Sequence, residues 1–159
     1  MRNRGEEAYS YFLEGYNCSQ SVIMAYKDFF PDESLDMILS LSSSFGGGMG
    51  RLREVCGTFS GALFILGRVF GYSQAKDNEK KKILYEKIQE FASLFEKENG
   101  SIICRKLLGL EGKSSPLPEE RTPNYYKKRP CPKICLSSAS ILEKFLIDNG
   151  VLDKDGEKK

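Results

Sequence analysis

Five cysteines, Cys18, Cys56, Cys104, Cys131 and Cys135, are the residues of this chain best suited to chemistry. A thiolate is a nucleophile, and it is a ligand for soft metal ions. The chain contains no histidine. The commonest general base is therefore missing, and no Ser–His or Cys–His pair can form within the molecule. An odd number of cysteines leaves at least one thiol unpaired in a monomer. Three outcomes follow from the residue type alone: thiol–disulfide exchange, ligation of a metal or cluster, and simple burial as a small hydrophobe.

Spacing narrows the first outcome. Asn17 and Gln20 stand in capping-box spacing, which puts Cys18 in the first turn of a helix, where the dipole and free N–H groups favour a thiolate. Cys56 precedes Gly57, just beyond the run Gly46-Gly47-Gly48-Met49-Gly50. That run could form a backbone nest for an anion, with Arg51 and Arg53 close by, but it lacks the Gly-Lys-Ser/Thr ending of a phosphate-binding loop, follows no strand, and reads as a tight connection presenting Cys56. Pro132 suits the first position of a helix, which makes Cys131 its N-cap and sets Cys135 one turn in. Lys127, Lys128, Arg129 and Lys133 surround this pair, and nearby positive charge lowers a thiol pKa. Cys131 or Cys135 is thus expected as the attacking thiolate, with Cys56, Cys104 or Cys18 resolving. A direct Cys131–Cys135 disulfide would distort the turn, since i, i+4 Cβ atoms lie about 5–6 Å apart and a disulfide needs roughly 3.5–4.5 Å.

The second outcome uses Cys18, Cys56, Cys104 and Cys135 as ligands of a thiolate-bound metal or iron–sulfur cluster, drawn from several helices of a bundle. No Cys-x-x-Cys pair of the zinc-ribbon or ferredoxin kind is present. The third is a non-catalytic helical interaction module with buried cysteines.

The elements that must position these residues read as helices almost throughout. Helices are expected near 5–15, from Asn17 to Pro31, and over about 33–44, 54–70, 74–98, 101–108 and 132–148. Gly57, Gly61 and Gly67 within one helix imply a second backbone packed close. Asn99-Gly100 and Gly109 are stops. Residues 112–130 hold four of the six prolines and are expected as a long loop. The expected fold is therefore all-α, a single-domain bundle of about six or seven helices over residues 1–150, with a disordered tail at 151–159.

Bulk properties exclude several classes. The 159 residues suit one domain with a sizeable core. A net charge of +2 gives no reason to expect nucleic acid or an anionic membrane as partner, and Tyr125-Tyr126-Lys127-Lys128-Arg129 is too short a cluster to change that. The longest apolar runs fall far below the roughly 20 residues of a membrane span. The polar start, Met-Arg-Asn-Arg-Gly-Glu-Glu, does not read as a signal peptide, so a cytoplasmic location with reduced thiols is expected. The oligomeric state, including a homo-oligomer, is left open.

Several stretches together resemble one known group. Gly15-Tyr16-Asn17-Cys18-Ser19-Gln20-Ser21-Val22 and Phe45 through Gly50 match it. So do Cys56-Gly57-Thr58-Phe59-Ser60-Gly61-Ala62, Cys104 through Gly109, and Cys131 through Cys135. Their order and spacing over residues 5–148 resemble the C_GCAxxG_C_C family, named for its spaced cysteines. Thr58 departs from the alanine usual there. The resemblance implies a redox role, itself inferred from the cysteines, such as that of a thiol oxidoreductase. It supplies neither a substrate nor a mechanism; from the thiols themselves, an unidentified redox partner or a small thiol or disulfide substrate is expected.

Overall fold

The computed structural model describes residues 1–159. Eight α-helices carry the fold: α1 (Arg4–Leu13), α2 (Cys18–Met24), α3 (Leu35–Ser42), α4 (Gly57–Phe70), α5 (Asn78–Asn99), α6 (Cys104–Leu108), α7 (Pro123–Lys128) and α8 (Cys131–Asp148). There are no strands, only two isolated bridges. No helix is long and apolar enough to cross a membrane.

Helices α1, α2, α4, α5 and α8 surround one core. α1 lies along α8, and α2 along α4. The apolar stripes that the sequence periodicity marks are the faces that meet. Phe59 of α4 stacks on Phe91 of α5 with centroids 5.6 Å apart, and Phe91 meets Phe145 of α8 edge-on at 6.2 Å. Full burial of one such side chain stabilises the fold by about 1.5–3 kcal/mol. The close approach expected of the α4 glycines holds at Gly57 and Gly61. A Cβ on Gly61 would stand 2.6 Å from the Ser19 carbonyl oxygen of α2, whereas Gly67 faces open space.

Local signals explain most helix ends. The Asn17–Gln20 capping box forms in both directions, at 2.9 and 3.1 Å, and fixes Cys18 as the first residue of α2. Gly100 and Gly109 adopt left-handed conformations that close α5 and α6. α4 starts three residues later than expected, because residues 53–56 pair with 102–105 instead of coiling.

Three expectations are corrected. The proline-rich stretch is not all loop: Thr122 accepts a 3.2 Å hydrogen bond from the Tyr125 amide and caps α7, with Pro123 in the first turn. Cys131 is not the N-cap of the last helix but its first residue, with Pro130 as cap and Pro132 second. Residues 151–159 are not a disordered tail. Leu152 is fully buried in the core, and Leu152 and Lys158 form a bridge that closes a turn over α1. The anchor is Arg4, wholly buried, which donates to the Gly156 carbonyl at 3.0 Å and to both carboxylate oxygens of Asp28 at 2.7 and 3.0 Å.

Candidate functional site

A short ladder brings two cysteines together. Val55 and Ile103 form an antiparallel bridge, extended by Cys56 N–H to the Ile102 carbonyl (2.7 Å) and Arg105 N–H to the Arg53 carbonyl (3.0 Å). Side chains alternate along extended backbone, so Cys56 and Cys104, each one residue past the bridge, leave on the same face. Each stands at the start of a helix, Cys56 capping α4 and Cys104 opening α6. α2 delivers Cys18 to the same place, and α8 delivers Cys131. These four line one cavity of about 230 Å³. All five cysteines are free thiols.

Cys135 does not line that cavity. It is fully buried in the core beneath, with its Sγ 4.0 Å from the Cys18 carbonyl oxygen. Of the four sequence-derived ligand candidates, Cys18, Cys56 and Cys104 therefore face the cavity, and Cys131 stands where Cys135 was expected. No three Cys, Asp or Glu side chains meet at the spacing that a single metal ion requires. The thiols ring a space rather than converge on a point. The side chains as placed do not fit one ion, and no step is derived through a metal.

The glycine-rich run is the cavity's second wall. Gly47, Gly48, Met49, Gly50, Arg51 and Arg53 all have φ between +61° and +67°. For the three non-glycine residues this conformation costs of order 1 kcal/mol each. The left-handed turn brings Gly46 and Gly47 alongside Cys18 at the cavity, and Gly48 so near Cys104 that a Cβ there would stand 2.5 Å from the Cys104 Cβ. It also aims Arg51 and Arg53 at the segment that covers the site. Arg53 Nε donates to Ser114 Oγ at 2.9 Å and Arg51 Nε to the Ser115 carbonyl at 2.6 Å, while the Ser114 amide returns a bond to the Arg51 carbonyl at 2.9 Å. The long proline-rich stretch is thus a strap tied across the cavity.

Four guanidiniums line the cavity: Arg51, Arg53, Arg121 and Arg129. Arg53 is 4% exposed, and its Nη1 donates to Cys104 Sγ at 3.7 Å. Arg121 lies 4.1 Å over the Phe12 ring and donates to the carbonyls of Phe12 (2.8 Å) and Tyr16 (3.1 Å). Arg129 pairs with Glu119, which also stands 3.9 Å from Arg51. Of the basic cluster expected to tune Cys131 and Cys135, only Arg129 faces the cavity; Lys127, Lys128 and Lys133 are exposed outside it.

Burial dominates the thiols. Loss of solvent pushes Cys56 up to about 12; the Cys18 sulfur adds to this, and a 3.2 Å hydrogen bond with the Thr58 hydroxyl opposes it. Burial likewise pushes Cys131 up to about 12, reinforced by Cys18 and opposed by Arg129 and Arg53. Cys18 and Cys135 are raised for the same reason, Cys18 against the backbone amide of Gly47. The helix starts do not overcome desolvation here. Cys18 also couples the set: it raises Cys56, Cys131 and Cys135, and Cys104 raises it.

Sequence reasoning placed Arg51 and Arg53 beside a glycine run able to hold an anion but favoured a tight connection there, and it passed over Arg121 and the site role of Thr58. Thr58 carried a signal, its departure from the usual alanine. Its hydroxyl meets Cys56, and its carbonyl accepts from Ser138 Oγ at 2.8 Å. Arg121 carried none, because its partners, the carbonyls of Phe12 and Tyr16, are distant in sequence.

Residues 16–145 match the model of the family described as "Putative redox-active protein (C_GCAxxG_C_C)". Comparisons with curated proteins and with solved structures find no match.

Proposed function

The chain belongs to the C_GCAxxG_C_C family, and from that membership we propose that it is a thiol oxidoreductase exchanging electrons through the cysteines of its cavity. The observation that carries this reading is the arrival of Cys18, Cys56, Cys104 and Cys131, from four separate segments, at one cavity. A core that merely tolerated cysteine would have no reason to gather four of them beside a guanidinium.

Cys104 attacks. It is the cavity sulfur that accepts a hydrogen bond from a guanidinium, that of Arg53, and charge-assisted donation stabilises negative charge on the accepting atom. This moves the attacking role away from Cys131 and Cys135, whose thiols burial holds neutral. The Cys104 thiolate forms a bond to one sulfur of a disulfide substrate, the substrate S–S bond breaks, and the first thiolate leaves. Cys18, which lines the same cavity, then gives up its proton and attacks the mixed disulfide. A Cys104–Cys18 disulfide forms and the second substrate thiol departs. Two protein thiols are oxidised, and the substrate gains two electrons and two protons. An external dithiol reverses the exchange and restores the resting protein. Exchange of this kind suits a reducing compartment such as the cytoplasm.

The test is mild oxidation of the native protein followed by peptide mapping without reductant. The expected product is one intramolecular disulfide joining Cys104 to Cys18. Five thiols that stay reduced, and that label only after unfolding, would overturn this reading in favour of a helical module with buried cysteines.

A further inference from the structure

The cavity holds four guanidiniums and a single carboxylate, that of Glu119. Glu119 is already committed to Arg129 and, more distantly, to Arg51. Neither Arg53 nor Arg121 has a carboxylate partner: Arg53 meets a hydroxyl and a sulfur, and Arg121 two carbonyls and the Phe12 ring. Each guanidinium has five N–H donors. Two are used by Arg53 and two by Arg121 in these bonds, so donors remain on both.

Positive charge taken out of water, wholly at Arg53 and partly at Arg121, is costly unless it is matched. The Cys104 sulfur meets Arg53 and leaves Arg121 without an anion, and Cys18, Cys56 and Cys131, which burial keeps neutral at pH 7, do not match it. Nor do carbonyls and hydroxyls, which bring dipoles but no net charge. The missing partner is a negative charge carried in by whatever occupies the cavity. Guanidinium forks suit planar carboxylates, which they bind through paired N–H donors. The volume, about 230 Å³, lies below the range of drug-sized sites, so the occupant is small.

We propose that the occupant is a small carboxylate-bearing disulfide, with Arg121 as the residue that selects its charge. The disulfide part of this assignment rests on the thiol-exchange reading; the anionic part rests on the arginines alone. Arg121 touches no sulfur. It holds a carboxylate at the wall formed by Phe12 and Tyr125, whose rings it overlies, and leaves the substrate's S–S bond to Cys104. Exchange then follows the electron and proton balance given above.

The experiment measures binding and exchange separately on the reduced, full-length protein. Calorimetry compares thiodiglycolate, an unreactive thioether dicarboxylate, with its neutral counterpart thiodiglycol. Stopped-flow exchange compares dithiodiglycolate with bis(2-hydroxyethyl) disulfide, each rate divided by that of a free small thiol. The expected result is binding of thiodiglycolate at least tenfold tighter than thiodiglycol, and a charge preference reduced about tenfold in Arg121→Gln but retained in Arg121→Lys. Should Arg121→Gln fail to fold, rising sodium chloride serves instead and must erode the preference of the wild-type protein. Equal binding of the two thioethers overturns the anion assignment, even if both disulfides are reduced and the exchange reading stands. Selective thiodiglycolate binding without any exchange upholds it, while the redox reading fails.

Discussion

Gly57 of α4 and the Cys18 sulfur of α2 touch so closely that no side chain fits between them. A Cβ at residue 57 would overlap Cys18 Sγ and would lie 2.9 Å from the Phe45 carbonyl oxygen. In an isolated helix, replacing glycine by alanine stabilises by about 1 kcal/mol. Here the collision reverses the sign. Gly57→Ala is expected to lower stability by about 1–3 kcal/mol, the usual range for overpacking, in urea unfolding at pH 7. Because the flexible partner is a thiol, the same change should speed alkylation of Cys18 several-fold, measured by residue-resolved mass labelling.

Arg53 sits in the left-handed region at φ +61° with its guanidinium on Cys104 Sγ. Arg53→Met keeps much of the apolar stem but removes the donor. Its expected effect is a fall of at least tenfold in exchange with a neutral disulfide, since one charge-assisted hydrogen bond amounts to about 1.5–3 kcal/mol. Arg53→Lys should recover part of the rate, as a charged donor without the fork. A merely structural role would give equal losses in both variants, with stability falling in step.

The buried thiols set an alkaline limit on stability. Cys56 and Cys131 are raised from an ordinary value of 9.0 to about 12. In the unfolded chain they lose their protons near pH 9, while in the fold they keep them. Above pH 9 the unfolded state therefore binds fewer protons, and stability falls as pH rises. The contribution is fully present below pH 9 and is lost as pH climbs through the folded value near 12. Cys18 and Cys135 are shifted in the same direction. Urea midpoints measured from pH 7 to 11 should stay level from these groups up to about 8 and then decline. The decline should be shallower in Cys56→Ala. A midpoint flat to pH 11 would contradict the burial of these sulfurs.

How much of this was legible in sequence depended on how local the cause was. The Asn17–Gln20 capping box needs only four residues, and it could be read directly; so could Gly100 and Gly109 as stops. Helix α7 was legible but hidden, because Thr122-Pro123 is a cap and first-turn pair set within a run of prolines that reads as loop. The convergence of the cysteines was an expectation from helix order alone. What makes it happen is the bridge between Val55 and Ile103, two residues 48 positions apart and too brief to leave a strand pattern. Arg53 was legible only as a charge beside the glycine run, not as the partner of Cys104 and Ser114, and Arg121 was invisible for the same reason, its partners being carbonyls of α1 and just beyond it. The tail was misjudged on its terminal position, where order is usually low; Leu152 fills the core and the Gly156 carbonyl meets Arg4.

That tail supplies another expectation. Arg4 is wholly buried, lies 4.5 Å from the Tyr26 ring centroid, and has its two terminal nitrogens held by Asp28, the Ala25 carbonyl and Gly156. Ending the chain at residue 150 removes Leu152 from the core and one carbonyl from the guanidinium. Loss of a buried leucine alone typically costs about 2–5 kcal/mol, so the truncated protein should unfold at markedly lower urea. Single replacement Leu152→Ala should account for much of the difference. Unchanged stability after truncation would mean that residues 151–159 do not pack.

Cys104 and Cys135 should separate cleanly as site and scaffold. Cys104 lines the cavity and accepts from Arg53, whereas Cys135 is sealed below it among Ala139, Leu142 and other residues of the same core. Cys104→Ser keeps the shape but replaces the attacking atom with a poor nucleophile, so disulfide exchange should fall to background. Cys135→Ala removes a sulfur that no substrate in the cavity can reach; it leaves a small void, costing about 1 kcal/mol, and exchange should continue at a comparable rate. Serine is the wrong probe at 135, because a buried hydroxyl lacking a good partner carries its own penalty of about 1–3 kcal/mol. Exchange kinetics beside urea midpoints for Cys104→Ser and Cys135→Ala decide the matter. If Cys135→Ala lost exchange while remaining folded, electrons would have to pass through the core sulfur, and Cys18, whose carbonyl it faces, would be relaying between the two layers.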